Sequence, residues 1–175
     1  MDNSRPARRL RIFLRDFRML EATASLADGQ SLSTWFAHRR SYVNLRAAHW
    51  TSTGDDVQHA VLRLDQVLWA SALDNDIPLT NASAAGTQRM VEMQLDGGLL
   101  LRGSLNLGDQ QRLSDYLEIA GPFVPVFDAS LLRSGRPPRE VNVQMGDIVL
   151  NQNAIQGMWE VDAQTLRATD RVREA

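Results

Sequence analysis

Val91-Glu92-Met93-Gln94-Leu95-Asp96-Gly97-Gly98-Leu99-Leu100-Leu101-Arg102-Gly103-Ser104-Leu105-Asn106-Leu107 decides the fold. Val91, Met93 and Leu95 alternate with Glu92 and Gln94, the period of two that sends successive side chains to opposite faces of a strand. Asp96-Gly97-Gly98 predicts a hairpin turn, because glycine reaches positive φ without steric cost. Beyond it, Leu99, Leu101, Gly103, Leu105 and Leu107 share one face, and Leu100, Arg102, Ser104 and Asn106 take the other. The pattern predicts two antiparallel strands with one buried face.

Downstream, Leu113, Tyr116 and Leu117 have the i, i+3, i+4 spacing of a short helix with one apolar face. Asp109 is the expected cap at its start, and Gly121-Pro122 stops it. Three further strands are predicted, centred on Phe123 to Ala129, on Val141 to Leu150 with a break at Met145-Gly146-Asp147, and on Ile155 to Val161.

The N-terminal part repeats this grammar. Leu10, Ile12 and Leu14 alternate with Arg9, Arg11 and Arg15, and a second strand runs from Arg18 through Leu20, Ala22 and Ala24 to Leu26. Leu32, Trp35 and Phe36 then repeat the helical face, with Ser31 as its cap. At an offset of 81, Leu32-Ser33-Thr34-Trp35-Phe36 lies on Leu113-Ser114-Asp115-Tyr116-Leu117, and Tyr42-Val43-Asn44-Leu45 lies on Phe123-Val124-Pro125-Val126. At an offset of 88, Val61-Leu62-Arg63-Leu64-Asp65-Gln66-Val67 lies on Val149-Leu150-Asn151-Gln152-Asn153-Ala154-Ile155. The change of offset falls in a Gly- and Pro-bearing loop, where length varies at little cost.

These matches predict a tandem duplication. A first unit with a basic N-terminal arm covers 1–70, a linker 71–88, a second unit 89–161 and a polar tail 162–175. The fold class expected is mainly β with short helices, as two tandem small β-barrels or rolled sheets. An Sm-like barrel is the nearest architecture, although that class places its helix first. Units this small are marginal alone and are expected to pack together.

Arg112-Leu113-Ser114-Asp115-Tyr116-Leu117, followed by Phe123-Val124-Pro125 and Phe127-Asp128-Ala129, resembles a small uncharacterised bacterial domain family with an opening hairpin, an Arg-Leu-Ser-Asp helix and a Phe-x-Pro-x-x-Asp-Ala strand. The first unit departs from it, with Ser31, Thr34, Asn44 and Ala47 in place of the Arg, Asp, Pro and Asp. The resemblance implies a fold unit and no chemistry.

Composition narrows the function. The chain has no Cys, which removes disulfides, thiolate metal sites and Cys nucleophiles. No apolar run is long enough to span a membrane as a helix, and MDNSRPARRL lacks the apolar core of a secretory signal. The expectation is therefore a cytoplasmic protein, with a place at the periphery of a membrane complex as one setting. All 19 basic residues are Arg. Residues 1–46 hold nine of them against four acids, and the remainder is acidic, so the field is uneven.

Candidate chemistry is thin. His38, His49 and His59 have no metal-ligand spacing. Ser33 and Ser114 lack a nucleophile elbow. Asp28 and Asp109 sit beside turn glycines, where Asp bonds its own backbone. Neither a cofactor nor a metal is expected, and no catalytic residue. Trp35 reads as core, Trp69 and Trp159 as covers of the junction between units, and Trp50 as an exposed aromatic.

The sharpest feature is an arginine edge. Arg5, Arg8, Arg9, Arg11, Arg15 and Arg18 cluster around Phe13, and with Trp50 they form the predicted partner-binding set. Phosphates, acidic lipids or an acidic protein surface would suit it. The reading is a non-enzymatic protein-interaction module, an accessory or structural subunit whose partners are one or more protein subunits. A nucleic-acid-binding small barrel is the alternative, weakened by the acidic remainder and a pI near 5.9. A small-ligand sensor or enzyme is the second alternative.

Overall fold

Apolar and polar residues alternate through most of the chain, so the backbone is drawn into strands that bury one row of side chains each. The computed structural model describes residues 6–80, 86–134 and 139–162. The first half runs β1 (Ala7–Leu14), β2 (Met19–Ser25), α1 (Leu32–Ala37), β3 (Tyr42–Trp50), β4 (Asp56–Arg63) and β5 (Val67–Ala72). The second runs β6 (Thr87–Leu95), β7 (Leu99–Leu107), α2 (Leu113–Ile119), β8 (Phe123–Ser134), β9 (Arg139–Asn151) and β10 (Ile155–Glu160). Short 3₁₀ turns at Leu64–Gln66 and Gln152–Ala154 link β4 to β5 and β9 to β10.

The strands make one antiparallel sheet in the order β10-β6-β7-β8-β9-β5-β1-β2-β3-β4. The sheet is not closed. The hydrogen-bonding edge of β5 is taken by β9, with Trp69 opposite Leu150 and Ala70 opposite Val149. That pairing carries the sheet through both halves and leaves β4 and β10 as its two ends.

The buried side chains gather in two interiors. One cluster gathers Leu10, Ile12, Leu20, Leu32, Trp35, Phe36, Val43 and Leu45 from the first half. The other gathers Val91, Met93, Leu95, Leu99, Leu101, Leu105, Val124 and Val126 from the second. The alternation of Leu10, Ile12 and Leu14, and of Val91, Met93 and Leu95, is therefore the inward row in each half, as expected. Gly103 belongs to that row because a Cβ there would overlap Val126 Cγ1 and lie 3.1 Å from the Phe127 carbonyl oxygen.

The two interiors exchange side chains at the joint. Phe123 and Val149 of the second half enter the first cluster, and Leu68 and Trp69 of the first half enter the second. Phe123 stacks on Phe36, ring centroids 4.4 Å apart. Asn151, 3% exposed, donates from Nδ2 to the carbonyls of Leu64 (3.1 Å) and Val67 (2.8 Å) across the joint. Removing that amide takes away two buried hydrogen bonds across the joint, so Asn151→Ala is expected to lower stability by about 2 kcal/mol in a urea titration. An unchanged midpoint would show that water or a neighbour replaces it.

Several sequence expectations need correction. The linker at 71–88 shrinks at both ends, since Ala72 still belongs to β5 and Thr87 opens β6. Its described stretch before residue 81 is docked. The amides of Leu32 and Ser33 donate to the carbonyls of Pro78 and Leu79, and Ile77 and Leu79 pack on the first cluster. Ser31 does cap α1, its Oγ accepting from the Thr34 amide, but Asp109 does not cap α2; its carboxylate takes the Thr87 hydroxyl instead. β9 is continuous through Met145-Gly146-Asp147, with Gly146 at φ 71° absorbing a register shift instead of breaking the strand. Arg5 and most of the polar tail lie outside the described residues.

Among the described residues, three other than glycine have left-handed backbone: Phe17 (φ 65°), Ala47 (φ 44°) and Asp128 (φ 49°). Ala47 and Asp128 sit where the ladders β2·β3 and β8·β9 shift register. Alanine gains nothing from this conformation, so Ala47→Gly is expected to raise the unfolding midpoint, by about 1 kcal/mol. A drop would show that the methyl group carries a contact worth more than the strain.

Candidate interaction surface

The arginine edge is assembled by β1 and the turn after it, and the structure supplies each described member with a partner inside the chain. On β1, Arg9 and Arg11 point outward, and both reach Glu21 of β2, Arg11 by two donors at 3.1 and 2.7 Å. Register explains this, since Arg11 lies directly opposite Glu21. Arg8 reaches Asp28 at 3.5 Å and Asp76 at 2.6 Å. Arg15 reaches the Asp65 carbonyl and the Asp96 carboxylate, tying the first half to the hairpin of the second. Arg18 holds Asp16 at 2.7 Å and lies 4.7 Å above the Trp50 ring. That Arg18 hydrogen bond lowers the Asp16 carboxyl below its ordinary value.

The predicted set is thus only partly brought together. Arg9 and Arg11 converge on one carboxylate; Arg8 answers Asp28 and Asp76, Arg15 answers Asp96 and Arg18 answers Asp16. Phe13 is not an exposed ring among them. It stacks on Trp69 at 4.2 Å and packs against the second cluster. Trp50 is half-buried under Arg18 and against the first cluster. A guanidinium already held by a carboxylate offers less to an incoming phosphate, so this edge is a weaker anion site than its Arg count suggests.

The other candidates settle as local bonding. His49 Nδ1 lies 2.9 Å from Asp56. Ser33 meets Ser31, and Ser114 donates to Asp115. Trp69 covers the junction as expected, but Trp159 does not; it is 43% exposed, its Nε1 donating to Glu92. Among the described residues, no three His, Asp or Glu side chains gather to hold a metal, and no helix is long and apolar enough to cross a membrane.

Three clefts bear on ligand binding. One of about 510 Å³ lies between β3, β4 and α1, lined by Arg39, Arg46, His59 and Asn44. Arg39 lies over the Trp35 ring, its buried Nε without a hydrogen-bond acceptor. A second, of about 290 Å³, opens at the joint between Arg40, Arg63, Asp65 and Asn153. The third, of about 500 Å³, separates α1 from α2 and is lined by Tyr116, Ile119, Phe127 and Gln111. Burial pushes the Tyr116 phenol up to about 12. Its folded value lies above the unfolded one, so the stability it confers is whole below pH 10 and drains away as pH rises towards 12. The loss is on the order of 2 kcal/mol. Thermal melts across that alkaline window should show it in the parent protein and not in Tyr116→Phe; equal slopes would dismiss it.

The surface that sequence reasoning missed is the pair of open sheet ends. Val61 on β4 is 63% exposed and Tyr42, at the start of β3, 55% exposed. At the other end lie β10 and the half-buried face of α2, with Ile119 77% exposed beside it. The signal was available in part. Val61 and Tyr42 occupy the sequence positions of Val149 and Phe123, which are 0% and 3% exposed.

Fold and surface together define a mainly β chain, one open ten-stranded antiparallel sheet with two buried clusters, whose end strands β4 and β10 each pair with a single strand among the described residues. Comparison with protein-family models, with curated proteins and with solved structures finds no match.

Proposed function

We propose that this chain is a duplicated interaction module, two copies of one rolled five-stranded unit, acting as a non-enzymatic protein-binding subunit of a larger assembly. The order strand, strand, helix, strand, strand, 3₁₀ turn, strand occurs twice, with one additional 3₁₀ turn at Asp96–Gly98 between the first two strands of the second half. Each half orders its strands alike, β5-β1-β2-β3-β4 and β10-β6-β7-β8-β9. The left-handed positions support the duplication independently of hydrophobic pattern. At the offset of 81, Ala47 falls on Asp128 and Phe17 falls on Gly98, and all four have positive φ. Such backbone is rare enough outside glycine that its coincidence points to a shared ancestor.

The observation that carries the functional reading is the joint itself. A unit of this kind binds through its strand edge, inserting Phe123 and Val149 into a neighbour's interior. One edge of each type is left open on the chain. Unpaired strand edges with apolar side chains beside them are templates for another protein.

The test is affinity purification of the tagged chain from its native cells, comparing the parent with Val61→Asp. A protein retained by the parent and lost from the variant supports the reading; identical recovery sets dismiss the edge as the binding surface. For the nucleic-acid alternative, anisotropy with a labelled single strand is the measurement. Binding that falls steeply with salt and vanishes in Arg9→Ala/Arg11→Ala would replace the present reading.

A further inference from the structure

We infer that the partner at the open edges is a second copy of this chain, docked head to tail so that β4 of one copy pairs antiparallel with β10 of the next. The inference rests on the duplication proposed above and gives its edge a named occupant.

Inside one chain the joint follows a rule. Val149 turns away from the interior of its own half and is fully buried in the interior of the other, while its neighbour Leu150 stays in its own. On the opposing strand, Leu68 and Trp69 cross over and Ala70 stays. Phe123 crosses and Val124 stays. The same positions at the free ends are prepared in the same way and have nothing to enter. Leu62 packs on its own cluster, whereas Val61 points outward. Val43 is buried in its own cluster, whereas Tyr42 is exposed. On β10, Met158 packs on its own cluster, and Gly157, with no side chain, stands at the position of Trp69 in β5.

The helices show the missing cover. α1 buries Leu32, Trp35 and Phe36, and β8 of the other half lies against it. α2 carries the corresponding Leu113, Tyr116 and Leu117 and buries none of them fully. In the assembly, Tyr42 of one copy would lie on Leu117 of the next, as Phe123 lies on Phe36. Transferring the register of the joint places Val61 opposite Met158 and Leu62 opposite Gly157. The contact joins unlike surfaces, so it repeats from copy to copy and continues until the row closes on itself.

The absence of Cys in the sequence allows a direct test of that register. Facing residues of an antiparallel pair lie within the Cα separation a disulfide spans. Purified Val61→Cys mixed with purified Met158→Cys, under mild oxidation, should give a disulfide-linked dimer containing one of each. Light scattering of the purified parent should give a mass of two or more times 19.6 kDa. Val61→Asp, folded by circular dichroism, should give the single-chain mass. Val61→Cys crosslinking to itself as readily as to Met158→Cys would overturn the head-to-tail arrangement. A parent that stays at the single-chain mass at high concentration, with no mixed crosslink, would overturn self-association altogether. The interaction reading would then stand or fall on the affinity purification alone.

Discussion

Val149→Asp is expected to unfold the protein, or to lower its stability by about 4 kcal/mol or more. Val149 has no exposed surface, and its side chain sits in the interior of the half to which it does not belong. A carboxylate there would be buried without a partner, at the sheet position that holds the two halves together. Its β4 counterpart is the internal control. Val61 is 63% exposed, so Val61→Asp should stay within about 0.5 kcal/mol of the parent as a single chain. Urea titrations of both variants, followed by far-ultraviolet circular dichroism, make the comparison. Equal midpoints for the two would mean that the joint between β5 and β9 does not form as described.

Trp35→Ala is expected to cost about 3 to 5 kcal/mol, because the cavity left by an indole closes only in part. Trp35 is 1% exposed, meets Phe36 edge-on at 4.9 Å, and donates from Nε1 to the Ser25 carbonyl at 3.0 Å. Truncation also removes the ring beneath Arg39. Tyr116 occupies the corresponding place on α2, where the cover is incomplete, and Tyr116→Ala should cost clearly less. Thermal unfolding of the two variants side by side tests this asymmetry. A larger loss for Tyr116→Ala would contradict the burial difference between α1 and α2 on which the free-edge assignment depends.

Much of the local structure was legible because it depends on neighbours in the chain. Leu10, Ile12 and Leu14, and Val91, Met93 and Leu95, face inward as their period of two demands. Ser31 caps α1 because its oxygen lies within reach of an amide three residues on. Asp96-Gly97-Gly98 turns because both glycines take positive φ. The arginine edge was legible as a cluster but not as a surface, since its carboxylate partners lie up to 81 residues away, as Asp96 does from Arg15. Asn151 bridges the two halves through carbonyls more than 80 residues distant, a role that no local pattern marks.

Sequence by itself determined the strands, the two short helices and the inward rows, because each is set by side-chain periodicity and short-range backbone preference. Tertiary structure alone decided that β5 would pair with β9, that Val149 and Phe123 would cross into the opposite interior, and that Val61 and Tyr42 would be left outside. The two sets of residues match in type, and only the presence of a neighbouring strand separates a buried valine from an exposed one.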